Sequence, residues 1–228
     1  MATELELVDM ACERDERVLF CGLSYRFEPG HVVQIEGPNG SGKTTLLRTL
    51  TTLSQDYAGE LLWRGRPLSK QRHDYLSQLL YLGHLPGVKK ALSPAENLRW
   101  YAHSRGESAR RVGTALYNVG LAGFEEVPCF QLSAGQQRRV ALARLYMSDQ
   151  PETWILDEPF TAIDKAGVGA LEQTISHQAA LGGTVILTTH QDLHSIDASH
   201  INLRDYQPME QQPEKQQLQD YQAPDCQQ

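Results

Sequence analysis

Long apolar runs are missing from this 228-residue sequence. No segment approaches the roughly 20 uninterrupted apolar residues that a membrane-spanning helix needs. The first residues, Met-Ala-Thr-Glu-Leu-Glu, contain neither a basic region nor the apolar stretch of a secretory signal. We therefore expect a globular chain that stays in the cytosol.

The sequence also has few cysteines and no excess of basic charge. Its four cysteines are widely separated and form neither a CxxC metal pair nor a CxxCH haem-attachment pattern. Scattered thiols of this kind are typical of a reducing compartment. The formal net charge of −7 disfavours extended binding to nucleic acid, because such binding requires a basic face that neutralises phosphates.

What the sequence does contain is a glycine-rich loop between a predicted strand, residues 31–36, and a predicted helix that includes residues 46–50. The loop is Gly37-Pro38-Asn39-Gly40-Ser41-Gly42-Lys43-Thr44-Thr45. A strand, a GxxxxGKT loop and a helix in this order predict a P-loop. Its N–H groups and the positive end of the helix would hold phosphates. Lys43 would then reach the β- and γ-phosphates, and the hydroxyl of Thr44 would ligate Mg²⁺.

An Asp-Glu pair follows the apolar residues 153–156, which are typical of a central strand buried on both faces. Such a pair is most often a solvated turn. In a P-loop ATPase, however, Asp157 would hold Mg²⁺ and Glu158 would orient or deprotonate the attacking water. The P-loop upstream makes this second interpretation the better one.

His190 closes the next predicted strand, residues 184–189. A lone histidine in this position is more often structural than catalytic. The carboxyl ends of strands in an open α/β sheet are nevertheless where ligands bind. His190 could hydrogen-bond the γ-phosphate and the Glu158 carboxylate from there.

The alternation of strands and helices predicts an α/β domain with a mostly parallel sheet. Two antiparallel strands are expected around the charged turn at residues 13–17, and shorter strands at 58–65, within 75–82 and at 201–203. A helical insert begins at Ser93, where Glu96 completes a capping box, and continues to about Gly123. Residues 206–228, rich in Gln and Pro, have too few apolar groups for a core and are predicted to be disordered.

A second candidate anion site is the segment Leu132-Ser133-Ala134-Gly135-Gln136, at the start of another predicted helix. One P-loop already holds the phosphates of one nucleotide. We therefore expect this segment to serve a nucleotide held by another subunit.

Together these motifs resemble the ABC-type ATPases in order and spacing, over nearly all of residues 1–205. The resemblance implies a P-loop NTPase of ABC type, with a mostly parallel core sheet, an antiparallel β subdomain and a helical subdomain at about residues 93–147. It also implies a head-to-tail dimer that holds two ATP molecules with Mg²⁺. Each ATP would lie between the P-loop of one copy and Ser133, Gly135 and Gln136 of the other, and Asp164 would belong to the loop that links the two sites.

The match is closer still to the CcmA family, the ATP-binding subunits of the bacterial cytochrome c maturation system, over residues 12–17, 132–145 and 154–164. This resemblance implies work with integral membrane Ccm subunits, in haem export or in release of a haem-loaded chaperone. Haem would be handled by these partners rather than bound directly. The chain would then lie on the cytoplasmic face of the bacterial inner membrane.

Three positions depart from the general ABC pattern. Arg14 stands where an aromatic ring usually stacks on adenine, and its guanidinium plane could stack instead. His84 stands where a glutamine usually contacts the metal ion and the transmembrane coupling surface. As a candidate ligand of Mg²⁺ it is weaker than an amide oxygen, because hard cations prefer oxygen ligands. Ala134 replaces the middle glycine, and we expect little effect from it.

Two other functions remain open. A nucleic-acid-associated ABC ATPase is disfavoured by the acidic charge and by the short distance from Lys43 to Leu132, which leaves no room for a long coiled-coil arm. A nucleotide-gated scaffold that does not hydrolyse ATP is disfavoured by the presence of Glu158.

Overall fold

The computed structural model describes residues 5–148, 150, 152–193 and 195–208. The strands in this part of the chain are β1 (Leu5–Arg14), β2 (Arg17–Phe27), β3 (Val32–Glu36), β4 (Ala58–Trp63), β5 (Arg66–Pro67), β6 (Leu79–Leu82), β7 (Thr153–Asp157), β8 (Thr184–Thr188) and β9 (Ala198–Asn202). The α-helices are α1 (Lys43–Leu50), α2 (Arg72–Ser77), α3 (Pro94–Ser104), α4 (Val112–Asn118), α5 (Ala134–Leu142) and α6 (Lys165–Ala180). Short 3₁₀ turns lie at Leu68–Lys70, Ala109–Arg111, Cys129–Gln131, Ala143–Tyr146 and Leu203–Tyr206.

A five-stranded parallel sheet forms the centre of the domain, in the order β6-β7-β8-β3-β9. Every residue of β7 and β8 is buried, as expected for strands with packed layers on both faces. Asp157 is paired with Thr188, and Ile35 is paired with Thr188 from the other side. This register brings the ends of β3, β7 and β8 to one edge, so the loops that follow them are neighbours.

A four-stranded antiparallel sheet, in the order β2-β1-β4-β5, packs beside the parallel sheet. One apolar core joins the two sheets through α1, since Phe20, Leu46, Leu47 and Ile155 belong to the same buried cluster. The P-loop helix is therefore held between the two sheets.

A separate cluster forms the core of the helical part, where Leu98 of α3, Leu116 of α4 and Val140 of α5 pack together. The capping box predicted at Ser93 is present, with the Glu96 N–H donating to Ser93 Oγ at 3.2 Å and the Ser93 N–H donating to Glu96 Oε2 at 2.8 Å. The mostly parallel sheet, the antiparallel sheet and the helical part together confirm the predicted fold class.

The strand expected within residues 75–82 begins only at Leu79, because residues 72–77 form α2. Tyr75 is fully buried there. Its hydroxyl donates to the Leu50 carbonyl at 2.8 Å and its ring meets Trp63 edge-on at 5.8 Å. These long-range contacts, which the local sequence pattern does not contain, hold Tyr75 in a helix.

The predicted limits of the ATPase domain, residues 1–205, and of the tail, residues 206–228, stay a prediction. The 3₁₀ turn Leu203–Tyr206 follows β9, and Tyr206 packs against the core that contains α1. Residues 209–228 of the predicted tail lie outside the described residues. Within the described part of the chain, none of the helices combines the length and the hydropathy of a bilayer span.

Candidate nucleotide-binding and catalytic site

A cavity of about 580 Å³ opens where the loops after β3 and β7 meet. Its lining includes residues from five of the predicted motifs: Arg14, residues 38–40 and 42–45, His84, Asp157, Glu158 and His190. Asp15, Arg17 and Leu19, which the sequence patterns did not single out, also line it. Residues far apart in the chain are thus gathered in one place.

The glycine loop has a backbone that only glycine adopts easily. Gly37, Gly40 and Gly42 have φ angles of 144°, 81° and 100°, which L-residues with a side chain rarely take. A Cβ atom at Gly37 would lie 2.5 Å from Ser41 Oγ, and one at Gly42 would lie 3.0 Å from the Phe20 ring. The loop backbone can therefore follow this path only because these positions are glycines.

Lys43 is the first residue of α1, and its side chain folds back across the loop. Its Nζ donates to the carbonyls of Gly37 at 2.6 Å and Pro38 at 3.3 Å. The ammonium group thus lies beside the loop backbone at the N-terminal end of α1. A cation and a helix N-terminus placed together favour an anionic ligand such as phosphate.

Asp157 ends β7 and its carboxylate faces two hydroxyl groups. Thr188 Oγ1 donates to Oδ1 at 2.8 Å, and Thr44 Oγ1 donates to Oδ2 at 3.4 Å. A carboxylate and a threonine hydroxyl side by side at a phosphate-binding loop are the oxygen ligands that Mg²⁺ prefers. The residues present therefore fit the predicted metal.

Glu158 follows in a left-handed backbone conformation, with φ of 50°. Its N–H donates to Thr188, with the carbonyl oxygen at 3.2 Å and Oγ1 at 3.1 Å. Its side chain reaches His190, since Oε1 lies 3.5 Å from Nε2. Glu158 and His190 are therefore neighbours at the cavity wall, and their roles in catalysis stay predictions.

Arg14 and His84 lie at the edge of the cavity. Arg14 ends β1, its side chain is 72% exposed, and its Nε lies 3.5 Å from Asp15 Oδ2. His84 is exposed in the loop after β6. Both residues line the cavity, and their contacts to a nucleotide or a metal stay predictions.

Ser133, Gly135 and Gln136 are not part of this cavity. They form the N-terminal end of α5, where the Gln136 N–H donates to Ser133 Oγ at 3.2 Å and the Ser133 N–H donates to Gln136 Oε1 at 2.9 Å. Ser133 is exposed. Gly135 lies against the loop that precedes α6, because a Cβ there would be 3.4 Å from the Ala162 carbonyl oxygen, and Asp164 of this loop caps α6.

Two residues that hold the site together were not singled out by the motifs. Thr188 binds both acidic residues, and Arg138 of α5 donates to the carbonyls of Asp157 and Glu158 at 3.1 and 2.8 Å. Each carries a recognisable signal. Thr188 is a polar residue at the end of an apolar strand. Arg138 is a charged residue on the helix face that also carries the apolar residues Ala141, Leu142 and Leu145.

The "ABC transporter" family model matches residues 20–161. The sequence is 56% identical over 191 residues to the "Cytochrome c biogenesis ATP-binding export protein CcmA" of Hahella chejuensis, covering 83% of this chain and 90% of that protein. The protein of the same name from Escherichia coli K12 is 55% identical over 194 residues, covering 85% and 92%.

The chain belongs to the CcmA family of ABC transporter proteins.

Solved structures agree with this ABC assignment. A putative ABC transporter ATP-binding protein from Pyrococcus furiosus superimposes with a TM-score of 0.77 at 28% identity, over 90% of this chain and all of that one. A second match, the ATP-binding subunit of an ABC transporter, has a TM-score of 0.73 at 25% identity, over 82% and 79%. The predictions of the ABC ATPase fold, of ATP binding and of ATPase activity are confirmed, and so is the resemblance to CcmA.

Proposed function

We propose that this chain is the ATP-hydrolysing subunit of a membrane ABC complex that serves c-type cytochrome biogenesis. The observation that carries the proposal is the single cavity that joins Lys43, Asp157 and Glu158. We infer the cellular process from the relatives named for cytochrome c biogenesis, since the match covers most of their own length. The complex would export haem or release a haem-loaded chaperone, and its membrane partners would handle the haem.

The residues of the cavity have distinct roles in this proposal. The loop N–H groups and Lys43 bind the ATP phosphates. Thr44 and Asp157 would hold Mg²⁺, which supplies neutralisation of phosphate charge when bound, and His84 is a weaker candidate ligand. Arg14 would stack on the adenine at the cavity edge.

Glu158 orients or deprotonates the water that attacks the γ-phosphate, and His190, 3.5 Å from it, hydrogen-bonds the carboxylate and the phosphate. Positioning and charge stabilisation, rather than covalent chemistry, are what phosphoryl transfer requires from the protein. Glu158 is suited to its role because its backbone is fixed by Thr188.

A second copy of the chain completes each site in this proposal. Ser133, Gly135 and Gln136 lie outside the cavity of their own chain, and Ser133 is exposed at a helix N-terminus. In a head-to-tail dimer they would contact the ATP held by the other copy, and integral membrane Ccm subunits would sense closure of the dimer. The dimer would therefore sit at the cytoplasmic face of the inner membrane.

The test is the formation of c-type cytochromes in cells whose only copy of this chain carries Lys43→Ala. We expect no maturation, together with at least about tenfold weaker binding of a fluorescent ATP analogue, because a charge-assisted contact to phosphate is lost. The exposed Lys70 supplies the control, and Lys70→Ala should mature cytochromes normally. Normal maturation with Lys43→Ala would contradict the proposal, and stimulation of the ATPase by DNA or RNA would favour the nucleic-acid alternative.

A further inference from the structure

Arg138 is a buried cation in the middle of the domain, with only 5% of its surface exposed. It lies on α5, which begins at the Ser133 cap. Desolvation lowers the pKa of its guanidinium group, while the negative charges of Asp157 and Glu158 oppose this shift. Keeping a charge in such a place costs stability that an apolar side chain of similar size would not cost.

The hydrogen bonds of Arg138 all go to loops that line the ATP cavity. Its Nη1 donates to the Gly83 carbonyl at 2.8 Å, directly before His84. Its Nη2 donates to the carbonyls of Asp157 and Glu158 at 3.1 and 2.8 Å. One planar guanidinium thus binds the loop after β6 and the turn after β7 at the same time, which a lysine ammonium cannot reproduce with the same geometry.

The turn that Arg138 binds has a backbone that needs support. Glu158 is a non-glycine residue with φ of 50°, a conformation that persists only when its surroundings determine it. Thr188 binds the N–H of Glu158, and Arg138 binds its carbonyl. The peptide groups on both sides of the Glu158 Cα are therefore fixed, and so is the direction of its Cα–Cβ bond.

We propose that Arg138 is a positioning residue for ATP hydrolysis, which holds the Glu158 turn and the His84 loop at a fixed distance from helix α5. The inference rests on the proposed function, because it assigns Glu158 to the attacking water. Since α5 also carries Ser133 at its N-terminal end, a displacement of this helix on dimer closure is passed through Arg138 to the backbone of Glu158. Arg138 itself is not among the residues that line the cavity.

The experiment compares variants of the full chain, purified with its membrane partners, by phosphate release and by titration with a fluorescent ATP analogue. Arg138→Gln should lower kcat by about 10- to 100-fold, because a displaced catalytic group loses rate steeply. ATP affinity should stay within about twofold of wild type, since Lys43 and the glycine loop are untouched. Arg138→Lys, which keeps the charge and one hydrogen bond, should recover part of kcat.

Arg139 offers a matched control on the next position of α5. It donates to the Gly120 carbonyl at 3.2 Å, away from the cavity lining. Arg139→Gln should leave both kcat and ATP affinity near wild type. A loss equal to that of Arg138→Gln would show that any arginine of this helix has the same effect, and it would overturn the inference.

The remaining outcomes separate the inference from the proposed function. Wild-type kcat in Arg138→Gln, with Glu158→Gln inactive, would overturn only the role of Arg138. Wild-type turnover in Glu158→Gln would overturn the proposed role of Glu158 and the inference with it. If Arg138→Gln does not fold, the test rests on Arg138→Lys. A reduced kcat with unchanged ATP affinity in Arg138→Lys supports the inference. A parallel loss of kcat and ATP affinity, or failure of the Gln and Lys variants to fold, assigns Arg138 a structural role only.

Discussion

Thr188 Oγ1 donates to Asp157 Oδ1 at 2.8 Å and also accepts the Glu158 N–H at 3.1 Å. A single buried hydroxyl at the end of β8 thereby fixes both acidic residues at the end of β7. The strand register makes this possible, because Thr188 pairs directly with Asp157. The two adjacent carboxylates are thus given different surroundings, one facing Thr44 and the other facing His190.

Replacing Thr188 with Val should weaken both stability and catalysis. The variant leaves Asp157 Oδ1 without its donor in a buried place, which should cost about 1–3 kcal/mol of unfolding free energy. Phosphate release should also fall, because the Asp157 and Glu158 side chains are less well fixed. Thr188→Ser keeps the hydroxyl and should preserve most of the activity. Equal unfolding midpoints and equal phosphate release for the Val variant and wild type would refute this role.

Gly37→Ala tests the backbone of the phosphate loop. The new Cβ would lie 2.5 Å from Ser41 Oγ at a φ of 144°, so the loop must shift or carry strain of about 1–3 kcal/mol. We expect ATP to bind at least about tenfold more weakly in a nucleotide titration.

Gly169 of α6 is the matched control, since a Cβ there meets no atom within 4 Å. Gly169→Ala should leave ATP affinity unchanged and stabilise the helix by up to about 1 kcal/mol. Unchanged ATP affinity in Gly37→Ala would show that the loop geometry is not what binds phosphate.

Thiol reactivity tests the burial of the β1 and helical cores. Cys12 and Cys129 are buried, and desolvation raises the pKa of both thiols. Cys21 is exposed. A higher pKa leaves less of the reactive thiolate at about pH 8, so a maleimide should label Cys21 before Cys12 and Cys129, which should react only on unfolding. Peptide mass spectrometry measures the order, and labelling of Cys12 as fast as Cys21 would contradict the packing of β1.

Local sequence signals sufficed for the motifs of the site. The glycine loop before α1 and the Asp-Glu pair at the end of β7 could be recognised because each is a contiguous pattern beside an apolar strand. The antiparallel pair around the turn at Asp15 and Glu16 was predictable for the same reason, and these two residues do take positive φ angles of 52° and 62°.

Contacts between residues that are far apart in the chain could not be predicted from local sequence signals. Tyr75 lies in a helix because it packs on Trp63 and binds the Leu50 carbonyl. The roles of Thr188 and Arg138 depend on which strands and loops are neighbours. The order β6-β7-β8-β3-β9 follows from packing of the whole chain, and no single segment specifies it.

The pairing of two copies around ATP is tested most directly by measuring the mass of Glu158→Gln with light scattering during size-exclusion chromatography. With ATP and Mg²⁺ we expect twice the mass of one chain, because bound ATP that is not hydrolysed keeps the Lys43 of one copy joined to the Ser133 of the other. Without ATP, or when Lys43→Ala or Ser133→Arg is added, the mass should be that of one chain. A mass that does not respond to ATP, or a dimer that persists with Ser133→Arg, would contradict the shared site.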